Sequence, residues 1–399
     1  MNSREKNVEK VVIRGLEGVV AAETDISFVD GENSEIYYKG YNIHDIAKHT
    51  TSYTEITYLL LFGELPTRSE LKVFRRKIIS EMRVPNQIIS MMEIIPHSSP
   101  PMNVLRTAVS MISSFDPDIG DNSLDSKRHK GIRLIAQLPA LVAILYRIRN
   151  NLEILSPDPK LNVAANILYM FHGKIPDDKS VRAMDLLLLL HADHGLNAST
   201  FAARVTTSTN SDMHSAIVSA IGTLKGPLHG GANERVMKML LELLAKDKIT
   251  GIDKFDEVEE YIDSLIAQGK RVMGFGHRIF KKEDPRARHL RELSEELCSI
   301  RGNKKMFNIS HRVEKAVMKK KGIYPNVDFY SAIVMHALNI PIEFYTTIFA
   351  SARISGWVAH IIDQYSDNRL IRPTSKYTGQ YNRKFLPIEK RRKNTSSQK

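Results

Sequence analysis

One cysteine among 399 residues, Cys298, excludes an internal disulfide and points to a reducing compartment. Long apolar runs are equally scarce. The longest tract of membrane character, Leu134 to Tyr146, is too short to span a bilayer and is flanked by Arg133 and Arg147, so no transmembrane helix and no membrane partner is expected. The first seven residues mix charges of both signs and lack an apolar h-region, so a secretory signal is not expected and the protein is placed in the cytoplasm. Zinc-finger spacing, a basic-region helix and the aromatic-interleaved pattern of an RNA module are all missing. So are internal repeats, sustained heptads and long linkers.

What is present is a globular composition, 42% hydrophobic, large enough for two domains or for one domain with an appendage. The net charge of +12 comes from 57 basic and 45 acidic residues, and half of that excess sits between Tyr381 and Lys399, where seven Lys or Arg meet one Glu. The body is therefore only mildly basic, which suits acidic small molecules better than nucleic acid. Residues 25–30 and 35–39 alternate apolar and polar around Gly31–Ser34 and predict a small β-hairpin. Helical spacing follows almost without pause. It predicts helices from Asn42–Lys48 through Gly131–Arg149 and Lys179–His191 to His311–Lys320, Phe329–Ala337, Ile342–Phe349 and Ile354–Tyr365. The expected fold is all-α, with any second domain inserted into a mainly helical body.

Two histidines sit inside glycine brackets, Gly226-Pro-Leu-His229-Gly-Gly-Ala232 and Gly274-Phe-Gly-His277-Arg278, each against a predicted helix. An imidazole at a helix start tends to stay neutral and to donate hydrogen bonds, and glycine permits close approach. Asp328 lies in apolar and aromatic company in Tyr324-Pro-Asn-Val-Asp328-Phe-Tyr-Ser331, and His194 ends a leucine-rich helix. Arg271, Arg286, Arg353 and Arg372 stand isolated nearby in sequence. A buried carboxylate can abstract a proton alpha to a carbonyl, neutral histidines can stabilise the oxyanions that form, and arginine forks clamp carboxylates. The set suits condensation of two carbonyl compounds.

In that order, Gly-Pro-Leu-His-Gly-Gly-Ala, Gly-Phe-Gly-His-Arg with Asp284-Pro-Arg286, and Pro-Asn-Val-Asp-Phe-Tyr-Ser-Ala resemble the citrate synthase family, which includes 2-methylcitrate synthases. The likeness runs from Gly15-Leu-Glu-Gly-Val-Val20 to near Arg372. It implies Asp328 as the base toward the methyl of acetyl-CoA, His229 as donor to the enol or enolate, and His277 as donor to the oxaloacetate ketone. His194, Arg286, Arg353 and Arg372 match oxaloacetate and citrate ligands, Arg372 reaching across from the other subunit of a homodimer. Arg271, Val272, Met273, Gly274 and Phe275 match the segment along which coenzyme A lies. The glycines beside His277 would let coenzyme A pass close to the backbone. The implied fold has a large helical domain, residues 1–224 and 332–399, and a small one, residues 225–331, that closes over the substrates. Coenzyme A is substrate and product, with no permanently bound cofactor and no metal. Acetyl-CoA is preferred to propionyl-CoA as the acyl donor, with both remaining open.

Plainer readings stand beside these. Asp328 could simply cap its helix, and Gly-x-Gly alone is a weak phosphate signal. His191, Asp193 and His194 could ligate a metal in a hydrolase, although a helix-end cap accounts for them as well. His214, His289, His311, His336 and His360 are read as residents of helix faces. Lys321 lies near enough to Asp328 in sequence to meet a coenzyme A phosphate, and the tail after Tyr381 is expected to be disordered and could carry a basic binding function.

Overall fold

A computed structural model describes residues 12–50, 52–121, 123–250 and 255–391 of the chain. Residues 24–370 form one compact unit, and the described parts of 1–23 and 371–399 form another. The larger unit begins with an antiparallel sheet of three strands, β1 (Ser27–Asp30), β2 (Glu35–Tyr38) and β3 (Tyr41–Asn42), in the order β1-β2-β3. Ser27 pairs with Tyr38 and Asp30 with Glu35. The Asp30 carboxylate closes the turn by accepting the Glu32 and Asn33 amides at 3.0 and 3.1 Å.

Sixteen α-helices follow among the described residues. They are α1 (Ile43–His49), α2 (Tyr53–Phe62), α3 (Arg68–Glu81), α4 (Asn86–Ile94), α5 (Pro101–Ile112), α6 (Leu124–Arg149), α7 (Val163–His172) and α8 (Asp178–His191), then α9 (Ala198–Ser208), α10 (Met213–Leu224), α11 (Ala232–Thr250), α12 (Phe255–Ala267), α13 (Pro285–Ile300), α14 (Lys304–Lys321), α15 (Val327–Ala337) and α16 (Tyr345–Ser366). The expected all-α architecture with a small N-terminal β element is present. Capping sets many of the starts. Thr67 and Glu70 form the capping box of α3, while Asn197, Asp212, Asp284 and Asn326 each accept a backbone amide at the first turn of α9, α10, α13 and α15.

Three helices depart from expectation. α6 starts seven residues before Gly131, because Ser123 caps it and Lys130, buried at its second turn, donates to the carbonyls of Asp118 and Asp121 at 3.0 and 2.6 Å. At 26 residues it is long and apolar enough to cross a membrane, yet 89% of its apolar window is buried against neighbouring helices. α14 starts at Lys304 rather than His311, since Met306 and Ile309 extend the buried stripe of Val313, Ala316 and Val317. The two helices expected at 342–349 and 354–365 are a short 3-10 turn, Ile342–Phe344, and one continuous helix. Ala350, Ser351, Ala352 and Arg353, which fell between the two expected helices, are all buried, and tertiary packing overrides the small residues' propensity.

That continuity positions the site. Gly356 donates its amide to the Ala192 carbonyl at 3.1 Å, and a Cβ there would collide with that oxygen and with the Asp193 carboxylate. Helix α16 therefore lies directly on the loop after α8, and Arg353, one turn earlier, reaches the His191 carbonyl at 2.6 Å. In the smaller unit, Tyr377 and Tyr381 pack at 5.0 Å between ring centroids and Ile388–Lys390 form a short 3-10 turn. Residues 381–391 are exposed, while 392–399 of the tail lie outside the described residues.

Substituting Gly356 by Ala is expected to lower the unfolding free energy by about 1–3 kcal/mol, the usual cost of overpacking a filled interior. A urea midpoint equal to the parent's would show that α16 does not depend on this contact.

Candidate active site

The buried carboxylate of Asp284, 1% exposed, organises the centre. It caps α13, accepting the Arg286 amide at 3.1 Å, and takes the Arg286 guanidinium bidentately, Nε at 2.9 Å and Nη2 at 2.7 Å. Its Oδ2 also accepts the Val327 amide at 3.2 Å. One side chain thus ties the start of α13 to the start of α15, next to Asp328. Arg286, which the resemblance assigns to a substrate carboxylate, holds Asp284 with its Nε edge and keeps its remaining N–H groups for an anion. No sequence signal separates this use of Asp284 from ordinary helix capping.

Asp328 occupies the first turn of α15, held by the Asn326 cap at 3.0 Å. Burial pushes its carboxyl up to about 6 against the pull of Arg286 and Arg353, with Asp284 adding to the rise. Its Oδ1 is buried and has no hydrogen-bond partner among the described residues, and the same is true of His194 Nε2. Burial, then Arg286, His277 and Arg353, hold His194 well below the usual imidazole range. Both atoms have Arg286 and Arg353 as charged neighbours, and a polar ligand there would complete them.

Each bracketed histidine has its tautomer set by backbone. His277 Nδ1 accepts the amides of Ile279 and Phe280 at 3.1 and 3.2 Å, so Nε2 carries the proton. His229 Nε2 accepts the Ser199 amide at 3.3 Å and lies 2.9 Å from Ser199 Oγ, so Nδ1 carries it. Ser199 Oγ in turn accepts from the buried Trp357 indole at 3.1 Å. Both rings stay neutral to about 4, His229 through burial and the Arg353 charge, His277 through burial and Arg286 against the opposing pull of Asp284. The expected cause was a helix start. His229 does sit in the turn before α11, but His277 lies in a loop eight residues ahead of α13, and burial does what a helix dipole was expected to do. Ser199 and Trp357 were not singled out as partners of His229.

The remaining residues converge unequally. His194 and His277 lie 5.1 Å apart between ring centroids. Arg353, 2% exposed, stacks over Phe349 at 4.9 Å; burial lowers it to about 10 although nearby Asp193 opposes the fall, so it stays charged at neutral pH. Phe275 bridges Pro325, Asn326 donates its amide to the Gly274 carbonyl at 2.9 Å, and Gly276 donates its own to Tyr324 at 2.9 Å. This zips the 274–276 segment onto the approach to Asp328. Gly274, at φ 83°, is required here because a Cβ would lie 2.7 Å from Val236 and 2.9 Å from Phe329. The lack of a side chain at Gly274 thus serves protein packing. Gly276, at φ 76°, faces open space. Arg271 is exposed, and Val272, Met273 and Phe275 are half-buried against the core. Arg372 belongs to the smaller unit and is exposed.

The His191, Asp193 and His194 run is used internally. His191 Nδ1 meets the Leu187 carbonyl at 2.8 Å, and Asp193 accepts from Gly195 at 3.0 Å, from His360 at 3.3 Å and from Ser27. Among the described residues, no three His, Cys, Asp or Glu side chains are grouped to hold a metal. His360, read as a helix-face residue, is buried between Asp193 and Arg204, 3.3 Å from the latter.

Comparison with known proteins fits this arrangement. The sequence profile of the family described as citrate synthase, C-terminal domain, matches residues 15–374. Citrate synthase 2 of Bacillus subtilis is 44% identical over 95% of this chain and 99% of its own length. The citrate/2-methylcitrate synthase of the same organism is 41% identical over 92% and 96%. Among solved structures, the ternary complex of carboxymethyl coenzyme A and oxaloacetate with citrate synthase from Thermoplasma acidophilum superposes with a TM-score of 0.88 at 33% identity, covering 96% of this chain and all of that one.

The raised Asp328 carboxyl has a thermodynamic consequence. The folded state holds its proton up to about 6 while the unfolded chain releases it near 3.8, so stability falls as pH rises through that window. Asp328→Asn is therefore expected to be more stable than the parent at pH 7, by on the order of 2 kcal/mol, with the difference vanishing below pH ~3.5. Denaturant titrations at the two pH values check it; a less stable variant at pH 7 would mean the carboxylate is not destabilised by burial.

Proposed function

The chain belongs to the citrate synthase family, and we propose that it condenses acetyl-CoA with oxaloacetate and hydrolyses the resulting thioester to citrate and coenzyme A. The observation that carries this reading is a buried, basic carboxylate with an oxygen that has no partner among the described residues, sharing its arginine neighbours with two neutral histidines, Arg353 with His229 and Arg286 with His277, whose N–H groups are on opposite ring nitrogens.

Asp328 takes a proton from the acetyl methyl, and its raised basicity makes the transfer less uphill. His229 Nδ1–H donates to the thioester oxygen as the enol or enolate forms. The new carbon nucleophile attacks the ketone carbon of oxaloacetate, whose oxygen receives the hydrogen bond and then the proton of His277 Nε2. Water hydrolyses the citryl thioester and releases the thiol. Arg353, which has no carboxylate within salt-bridge distance among the described residues, and the free N–H groups of Arg286 supply positive charge for the dicarboxylate, with His194 Nε2 beside them.

The acyl group is the finer question. Acetyl-CoA is the proposed donor, and propionyl-CoA is the alternative that the dual name of the second Bacillus relative keeps open. One methylene is worth only about 1–3 kcal/mol in such a pocket. The same reading assigns Arg271 to Phe275 to the path of coenzyme A, Arg372 to the partner's site in a homodimer, and residues 225–331 to a segment that closes to exclude water. It places the enzyme in the cytoplasm, with no metal and no resident cofactor in the chemistry.

Thiol release from acetyl-CoA and propionyl-CoA, each with and without oxaloacetate, tests the reaction. Oxaloacetate-dependent thiol is expected, and its absence with both donors would refute the proposal. Asp328→Asn and His229→Ala are expected to lose turnover by roughly 10²–10⁴-fold with the fold intact, and Arg286→Ala to weaken oxaloacetate saturation. The parent rate should fall as pH drops below about 6, where Asp328 gains its proton, while both imidazoles are still neutral. A rate that holds level down to pH 4.5 would remove Asp328 as the base.

A further inference from the structure

The β1–β2 hairpin touches the candidate site at both of its ends. At its stem, the cross-strand pair Ser27 and Tyr38 grips the loop that carries His194. Ser27 Oγ donates to Asp193 Oδ2 and accepts the Gly195 amide at 3.1 Å, and Tyr38 Oη donates to the Asp193 carbonyl at 2.9 Å. At its turn, the hairpin meets the loop that carries His277. The Gly31 carbonyl accepts the Lys281 amide at 3.3 Å, and Glu32 pairs with Lys281 Nζ at 2.5 Å. Gly31 is pressed so closely on Ile279 that a Cβ would lie 2.5 Å from its carbonyl oxygen and 2.9 Å from its side chain. Just past the sheet, His44 Nδ1 lies 2.7 Å from His289 Nε2, which adds a tether from α1 to α13.

We propose that this hairpin is a strap that sets the spacing of His277 from His194, with Gly31 as a positioning residue for His277. Four residues of paired strand, roughly 13 Å, separate the two fastenings, and a hydrogen-bonded antiparallel ladder of that length is stiff along its axis. Ile279 is also one of the two residues whose amides fix the His277 tautomer, so the atoms Gly31 packs against belong to the segment that aims Nε2–H. Displacing Ile279 turns the donor away from its target while leaving the helical core untouched. The strap rests on the synthase reading only for its effect on rate; its mechanical part stands on the contacts alone.

The test uses the full chain. In Gly31→Ala, the Lys281 amide is expected to exchange with deuterium about ten-fold faster or more, and half-saturation by oxaloacetate to rise about ten-fold, with acyl-CoA saturation and the unliganded Tm close to the parent's. Unchanged exchange at Lys281 overturns the strap. Faster exchange with unchanged oxaloacetate saturation and kcat overturns the positioning role. If Gly31→Ala does not fold, Glu32→Lys should loosen the loop in the same direction, and the swap Glu32→Lys with Lys281→Glu should restore it; no effect of the first and no rescue by the second likewise overturn the proposal. Absence of oxaloacetate-dependent thiol release in the parent protein refutes the synthase reading instead, and the exchange measurement then still decides the strap.

Discussion

The ion pair of Asp284 and Arg286, both almost wholly buried, is the interaction on which the candidate site rests. Removing two charges from water is costly, and such a pair is weak evidence for stability. Its value here is geometric. One carboxylate receives four N–H groups, from the Arg286 backbone, the Arg286 fork and Val327, and so fixes the start of α13 against the start of α15. Asp328 follows Val327 directly. The pair also divides the local charge unevenly: Arg286 is neutralised on one edge, while Arg353 donates to the His191 carbonyl and lies over the Phe349 ring, with the Asp193 and Asp328 carboxylates farther off.

Basicity and neutrality in the site come from one cause acting on opposite charge types. Burial raises a carboxyl and lowers an imidazole, so Asp328 becomes a better base as His194, His229 and His277 become obligate neutral donors or acceptors. The arginines reinforce the second effect and restrain the first. Backbone amides then decide which nitrogen of each bracketed ring keeps its proton, a choice that survives side-chain motion better than a partner side chain would allow.

Much of this was legible in the chain itself. Periodicity located nearly every helix, and the grouping of His229, His277 and Asp328 followed from glycine brackets and apolar company around an acid. The failures are instructive because they share an origin. Residues 350–353 looked like a helix break, yet they are buried within one continuous helix whose Gly356 lies against the loop after α8. Gly274 drew notice for its place beside His277, and its tight fit against Val236 and Phe329 was not foreseen. The partners of the site residues, Asp284 for Arg286, Ser199 and Trp357 for His229, and Ser27 and Tyr38 for the His194 loop, come from distant or locally unremarkable positions. Local pattern carries propensity and burial, but it does not say which buried donor meets which acceptor.

The central claim is that the fastening of α13 to α15 keeps Asp328 in an environment where its carboxyl is hard to ionise. Difference infrared titration of the parent against Asp328→Asn isolates that single carboxyl stretch. A protonated band that disappears with a midpoint of about 6 is the predicted result. A midpoint near the ordinary carboxylate value of 3.8 would contradict the account.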